Sequence, residues 1–185
     1  RCLSVEEVTK LVQSAQKAWS KHTRNYFPEF CILGFYTGMR SGELLNLEWN
    51  RVNLLERTVT LRAEDTKSKR KRLVPLNDGA YEAMLRLRRV AKNNFPDTQW
   101  VFTHTRPRCR GVQVKSVYGP WKKAVEDAGI DWCTPHCLRH TSITELVHAE
   151  GADVVDVSRL AGHSNLNTTQ GYIHVADNRL HDAVA

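Results

Sequence analysis

Four separated segments of the 185-residue sequence carry side chains suited to an anionic substrate. Thr37-Gly-Met-Arg-Ser-Gly-Glu43 places Arg40 in a corner between two expected helices, with Glu43 three residues on. Thr66-Lys-Ser-Lys69 opens a basic run of Lys67, Lys69, Arg70, Lys71 and Arg72, which Val74-Pro75-Leu76 closes. Thr134-Pro-His-Cys-Leu-Arg-His-Thr141 sets His136 and Arg139 at i and i+3, neighbours on one helical face. Leu160-Ala-Gly-His163 follows, and Tyr172 comes nine residues later. Guanidinium groups stay charged and present a planar fork that matches phosphate. A phenol, with an ordinary pKa near ~10, becomes a useful nucleophile only with help in losing its proton, and nearby positive charge gives that help. Taken singly, each residue has a plainer use. A late Tyr is core or surface, an Arg in a helix corner caps a carbonyl, and a basic run is a solvated hairpin.

Composition narrows the field. Lys and Arg number 27 against 20 Asp and Glu, a formal charge of +7, which favours a polyanionic partner. Hydrophobic residues make up 41% and charged residues 25%, a globular balance that can bury a core. No run of eighteen or more apolar residues is present, so no segment reads as a membrane-crossing helix. The sequence has no GxxxxGK[ST] phosphate loop, no GxSxG and no clear two-metal carboxylate cluster, which disfavours nucleotide-driven and metal-dependent nuclease chemistry. The five cysteines are an odd number with no secretory signal before them, so reduced thiols in a cytoplasmic chain are expected. Cys133, His136, Cys137 and His140 have zinc-ligand types, but one helix cannot wrap a tetrahedral ion with all four. A buried Cys beside polar His is the simpler reading, and no metal site is assigned. The opening Arg-Cys-Leu-Ser, without Met, reads as part of a longer chain with sequence missing on its N-terminal side.

The elements that must position these residues follow from local signals. Ser4-Val5-Glu6-Glu7 is a capping box, and Val8, Leu11, Val12 and Ala15 recur at helical spacing after it. A second helix is expected over about 28–37 with Gly38 closing it, and Ser41 is expected to cap a short third. Thr58–Arg62 and Arg72–Leu76 alternate like strands joined by a long charged hairpin, and Trp100–Thr103 reads as a further short strand. Helices are expected from Asp78, from Thr134-Pro135 to about Glu150, and from Asp153 to Gly162, with two short pieces around 167–174 and after 177. The whole is one domain over residues 1–185, mainly α with a small antiparallel β-sheet (α+β).

The segments TGMRSGEL, TKSKRKRLVPL, HCLRHT and LAGH, with Tyr172 nine residues after His163, together resemble the tyrosine recombinase (phage integrase) family, in its C-terminal catalytic domain. The resemblance covers nearly the whole chain. It implies that Tyr172 attacks a DNA phosphodiester, leaving a 3′-phosphotyrosine and a free 5′-hydroxyl. Arg40 and Arg139 would clamp the non-bridging oxygens, and His163 would donate a hydrogen bond to the phosphate. Lys67 is the best match to the general acid for the 5′-oxygen, with Lys69 the runner-up, and His136 would assist proton transfer at the tyrosine. Glu43 would support the cluster by pairing with a cation. The basic hairpin 67–72, with Lys67, Lys69, Arg70, Lys71 and Arg72, would contact DNA.

What the resemblance implies about partners is double-stranded DNA attachment sites, other protomers in a four-protomer synapse, and accessory DNA-bending or directionality proteins. No cofactor is implied, neither metal nor ATP. A cytoplasmic setting in a prokaryotic host follows, with a core-binding domain expected outside this segment. Three rivals stay open at this stage: a type IB topoisomerase, a binding-only relative, and a zinc-dependent DNA-binding module.

Overall fold

The computed structural model describes residues 2–19, 26–66, 69–105, 107–149, 152–162 and 168–169. Seven helices and three strands occur among them: α1 (Val5–Trp19), α2 (Phe27–Thr37), α3 (Ser41–Leu45), β1 (Val52–Asn53), β2 (Thr58–Leu61), β3 (Arg72–Pro75), α4 (Asp78–Asn94), α5 (Tyr118–Asp127), α6 (His136–His148) and α7 (Val154–Ala161). None of these helices is long and apolar enough to cross a membrane.

The capping box forms as expected. The Ser4 amide donates to Glu7 Oε2 at 2.8 Å and the Glu7 amide donates to Ser4 Oγ at 3.1 Å, which satisfies amides that an open helix start leaves unpaired. Val8, Leu11 and Ala15 are then carried to the inner face of α1. α2 is apolar around most of its circumference, and it accordingly sits in the middle, packed on α1, α4 and α6. Phe27 meets Trp121 edge-on at 6.5 Å and Phe30 meets Phe102 at 5.9 Å, so aromatic contacts join α2 to α5 and to the 101–103 segment. Trp121 is fully buried and donates its Nε1 proton to the Cys133 carbonyl at 2.7 Å. That bond fixes the segment leading into α6.

The three strands form one antiparallel sheet in the order β1-β2-β3. Val59 pairs with Val74 and Leu61 with Arg72. Because side chains alternate along a strand, Val59, Leu61, Val74 and Arg72 share the inner face, while Leu73 and Pro75 look outward. Two expectations shift. Trp100–Thr103 makes only isolated bridges, Glu48 with Trp100 and Thr103 with Gln113, and β1 was not read from sequence. The third helix starts at Ser41 with Arg40 in the capping position, so Ser41 is its first helical residue and not its cap. The helical pieces expected around 167–174 and after 177 lie almost wholly outside the described residues.

Trp121→Phe should cost about 2–4 kcal/mol in urea unfolding, because it removes volume from a closed core and strands the Cys133 carbonyl. Trp132→Phe, at a side chain 52% exposed, should stay within about 0.5 kcal/mol of the parent. Equal losses for the two variants would contradict this packing.

Candidate active site

Arg40 occupies the turn between α2 and α3. Gly38 ends α2 in the left-handed region (φ 60°), a conformation open to glycine at little cost, and this turns the chain sharply enough for α3 to start at residue 41. The Arg40 amide donates to Glu43 Oε2 at 2.8 Å and its Nη1 donates to Glu43 Oε1 at 2.9 Å. Glu43 is almost completely buried, its side chain only 2% exposed, while Arg40 keeps 24% of its side chain exposed.

A second arginine reaches the same carboxylate. Arg72, on the inner face of β3, donates Nη2 to Glu43 Oε2 at 2.7 Å and Nη1 to Glu43 Oε1 at 3.1 Å, a two-pronged pair. Burial acts to raise the Glu43 pKa. The hydrogen bonds and charge of Arg72, joined by the Arg40 contacts, outweigh it and hold the carboxyl below its ordinary value. By its place in the basic run, Arg72 is expected to face DNA with the hairpin. Its guanidinium instead turns inward, whereas Lys69, Arg70 and Lys71 are exposed. Strand alternation against buried Val74 was the available signal for this inward turn. The hairpin is braced by buried Thr66, whose Oγ1 accepts from the Arg70 amide at 3.1 Å and lies within bonding distance of the Ala63 and Arg70 carbonyls. Lys67 lies outside the described residues.

Arg139 comes from the first turn of α6 and is buried. Its Nη1 donates to the Gly38 carbonyl and its Nη2 to the Ala161 carbonyl, both at 2.6 Å. These carbonyls end α2 and α7, where orphan acceptors and the negative end of the helix dipole favour a cation. One side chain thus ties the Arg40 corner to the end of α7. Gly162 closes α7 with φ 67°, directly before His163. His163 and Tyr172 lie outside the described residues.

His136 opens α6 and is exposed, with its ring 4.6 Å from that of His140 and nearly perpendicular to it. Partial desolvation, then the charges of His140, Arg139 and Arg40, hold the His136 pKa below its ordinary value. Desolvation is also the largest cause that lowers the His140 pKa, and the charge of Arg139 contributes to it. Sequence reasoning gave His140 no settled role. The i, i+4 spacing to His136 was the signal for their contact. Thr141 of the same motif is structural: the Leu3 amide donates to its Oγ1 at 2.8 Å, which fastens the entry to α1 onto α6. Cys133 and Cys137 are buried apolar side chains, and among the described residues no group of three or more His, Cys, Asp or Glu could hold a metal ion.

Arg40 and Arg72 meet at the Glu43 carboxylate, and Arg139 reaches the same corner through the Gly38 carbonyl, with His136 beside it. Such a site can hold a phosphate and stabilise negative charge growing on its oxygens. Glu43→Gln would leave Arg72 buried without its counter-charge, a loss of about 3 kcal/mol or more. A carboxyl with a depressed pKa stabilises above its unfolded value of 4.5 and loses that contribution as pH falls through its folded value. The melting-temperature gap between parent and Glu43→Gln should therefore be widest near neutral pH and close below pH 4.5. A gap independent of pH would contradict it.

Comparison with known proteins agrees with this geometry. The phage integrase family matches residues 1–179. Tyrosine recombinase XerD of Rhizobium meliloti is 32% identical over 192 aligned positions, covering 100% of this chain and 60% of the relative. Tyrosine recombinase XerC of Corynebacterium glutamicum is 32% identical over 171 positions, 91% of this chain and 53% of the relative. The chain thus spans little more than half the length of these relatives. The crystal structure of XerA recombinase superposes with a TM-score of 0.78 at 26% identity, over 99% of this chain and 63% of that one. The catalytic domain of bacteriophage HP1 integrase, at 22% identity, shares the fold with a TM-score of 0.66 over 99% of this chain and 92% of that one. By family match and by these relatives, the chain belongs to the phage integrase family of tyrosine recombinases.

Proposed function

We propose that residues 1–185 form the catalytic domain of a site-specific DNA recombinase that cuts and rejoins strands through a 3′-phosphotyrosyl bond. The observation that supports this most is the convergence of Arg40, Arg139 and His136, from two sequence-distant motifs, on one positively charged corner. The Tyr172 hydroxyl oxygen attacks phosphorus and the bond to the 5′-oxygen breaks. His136, held largely neutral at pH 7, takes the phenolic proton. Lys67, or Lys69 in its place, gives a proton to the departing 5′-oxygen. Arg40 and Arg139 clamp the non-bridging oxygens, and His163 donates a hydrogen bond to them. Two guanidinium groups supply the charge stabilisation, so the step calls for neither metal nor nucleotide. The phosphotyrosine keeps the bond energy, and a free 5′-hydroxyl attacking it reverses the step.

DNA is the proposed substrate, held through phosphate contacts from Lys69, Arg70, Lys71 and Lys67. Among proteins of the same fold, XerH is known bound to a palindromic difH substrate and the Tn1549 transposon integrase in complex with circular intermediate DNA. By analogy, this chain acts on recombination sites with other protomers, four in a synapse, and accessory DNA-bending or directionality proteins are candidate partners. A cytoplasmic setting on prokaryotic DNA fits that role.

A nicked suicide duplex carrying the recombination site traps the intermediate, because the short 5′-hydroxyl fragment diffuses away. With a chelator present, the parent should give a covalent protein–DNA band on denaturing gels. Tyr172→Phe should give none, and His136→Gln should form the band about 10²-fold more slowly or worse. A band that persists in Tyr172→Phe, or that needs added metal, would contradict the proposal.

A further inference from the structure

Arg72 stands at a junction that its place in a basic run conceals. On one side its guanidinium grips Glu43 with both terminal nitrogens, and Glu43 in turn holds the Arg40 amide and Nη1. On the other side it lies against Gly162. A Cβ at Gly162 would come within 2.6 Å of Arg72 Nη1, 3.0 Å of its Cζ and 3.2 Å of its Cδ. The side chain is only 8% exposed, and its Nε is buried without a hydrogen-bond partner. A group placed to meet DNA would sit in the open, as Lys69, Arg70 and Lys71 do. Backbone continuity adds a third connection, since β3 begins at Arg72 and the basic hairpin runs directly into it.

We propose that Arg72 is a positioning residue that locks three segments into one register: the Arg40 corner through Glu43, the end of α7 through Gly162, and the base of the basic hairpin through β3. The proposal rests on the recombinase reading above, because those segments carry Arg40, His163 and Lys67. Each is adjacent to the lock: His163 follows Gly162, and Lys67 lies five residues before Arg72. The buried guanidinium contributes no phosphate contact. It fixes the Arg40 corner, the end of α7 and the base of the hairpin against one another, and it makes Gly162 obligatory, since any side chain there would displace it. A site of this kind depends on placement, where an error near 1 Å can cost about 10²-fold in rate.

The test uses Arg72→Gln, with Arg70→Gln on the exposed hairpin as comparator. Binding to a short fluorescein-labelled duplex is followed across salt concentrations. Amide hydrogen exchange is read at Arg40 and Gly162, whose amides bond to Glu43 Oε2 and the Arg159 carbonyl. Single-turnover cleavage of the suicide duplex is the third readout. Arg72→Gln should leave the duplex Kd within about twofold and the salt slope unchanged, whereas Arg70→Gln should lower the slope by about 1. Exchange at both amides should quicken about tenfold or more, and cleavage should slow about tenfold or more. A salt slope reduced by about 1 in Arg72→Gln, with exchange unchanged, would make Arg72 a phosphate contact and overturn the proposal. Unchanged exchange and cleavage would overturn it equally. If Arg72→Gln does not fold, Gly162→Ala presses on the guanidinium from the other side. It should quicken exchange at Arg40, and an unaltered Arg40 amide would overturn the proposal. Failure of the parent to form any adduct would count against the recombinase reading alone, because exchange and salt slope still decide the role of Arg72.

Discussion

A single buried carboxylate governs this site. Glu43 lies beneath the corner between α2 and α3, where an isolated charge would be strongly disfavoured, and two arginines from different elements compensate it. A buried ion pair is not in itself a large source of stability, since desolvation offsets much of the attraction. Its value here is geometric. Two prongs from Arg72 and two contacts from Arg40 leave the carboxylate little freedom, so the orientation of each guanidinium is set by the other.

The charge balance around that anchor has a chemical consequence. Arg139 is held on the carbonyls at the ends of α2 and α7, dipolar groups that favour a cation. Together with Arg40 it makes a preorganised positive pocket, built before any substrate arrives. Partial desolvation, then the charges of His140, Arg139 and Arg40, depress the His136 pKa and suit it to accept a proton at neutral pH.

Much of this was legible in the sequence where the signal is local. Ser4 and Glu7 announce the first helix, Gly38 and Gly162 mark helix ends, and His136 with Arg139 reads as one helical face. The alternation of Val59, Leu61 and Val74 gives the sheet. What escaped depends on contacts distant along the chain. Nothing local says that Arg139 will reach carbonyls at 38 and 161, or that Arg72 will meet Glu43 across 29 positions. Arg72 shows how a local rule can mislead: grouped by charge with residues 67–71 it reads as a surface cation, whereas grouped by strand period with Val74 it belongs inside. Trp100–Thr103 has strand-like composition, but it finds only single bridging partners and no continuous neighbouring strand.

The most direct measurement is the side-chain NMR spectrum of the arginines in the free protein at neutral pH. A guanidinium clamped by a carboxylate on both terminal nitrogens and shielded from water should show hindered rotation and slow exchange of its terminal protons. Arg72 should show both, and both should be lost in Glu43→Gln. Exposed Arg70 should show fast, averaged signals throughout. Arg72 protons that average and exchange as fast as those of Arg70 would contradict the buried Glu43–Arg72 lock on which the site is built.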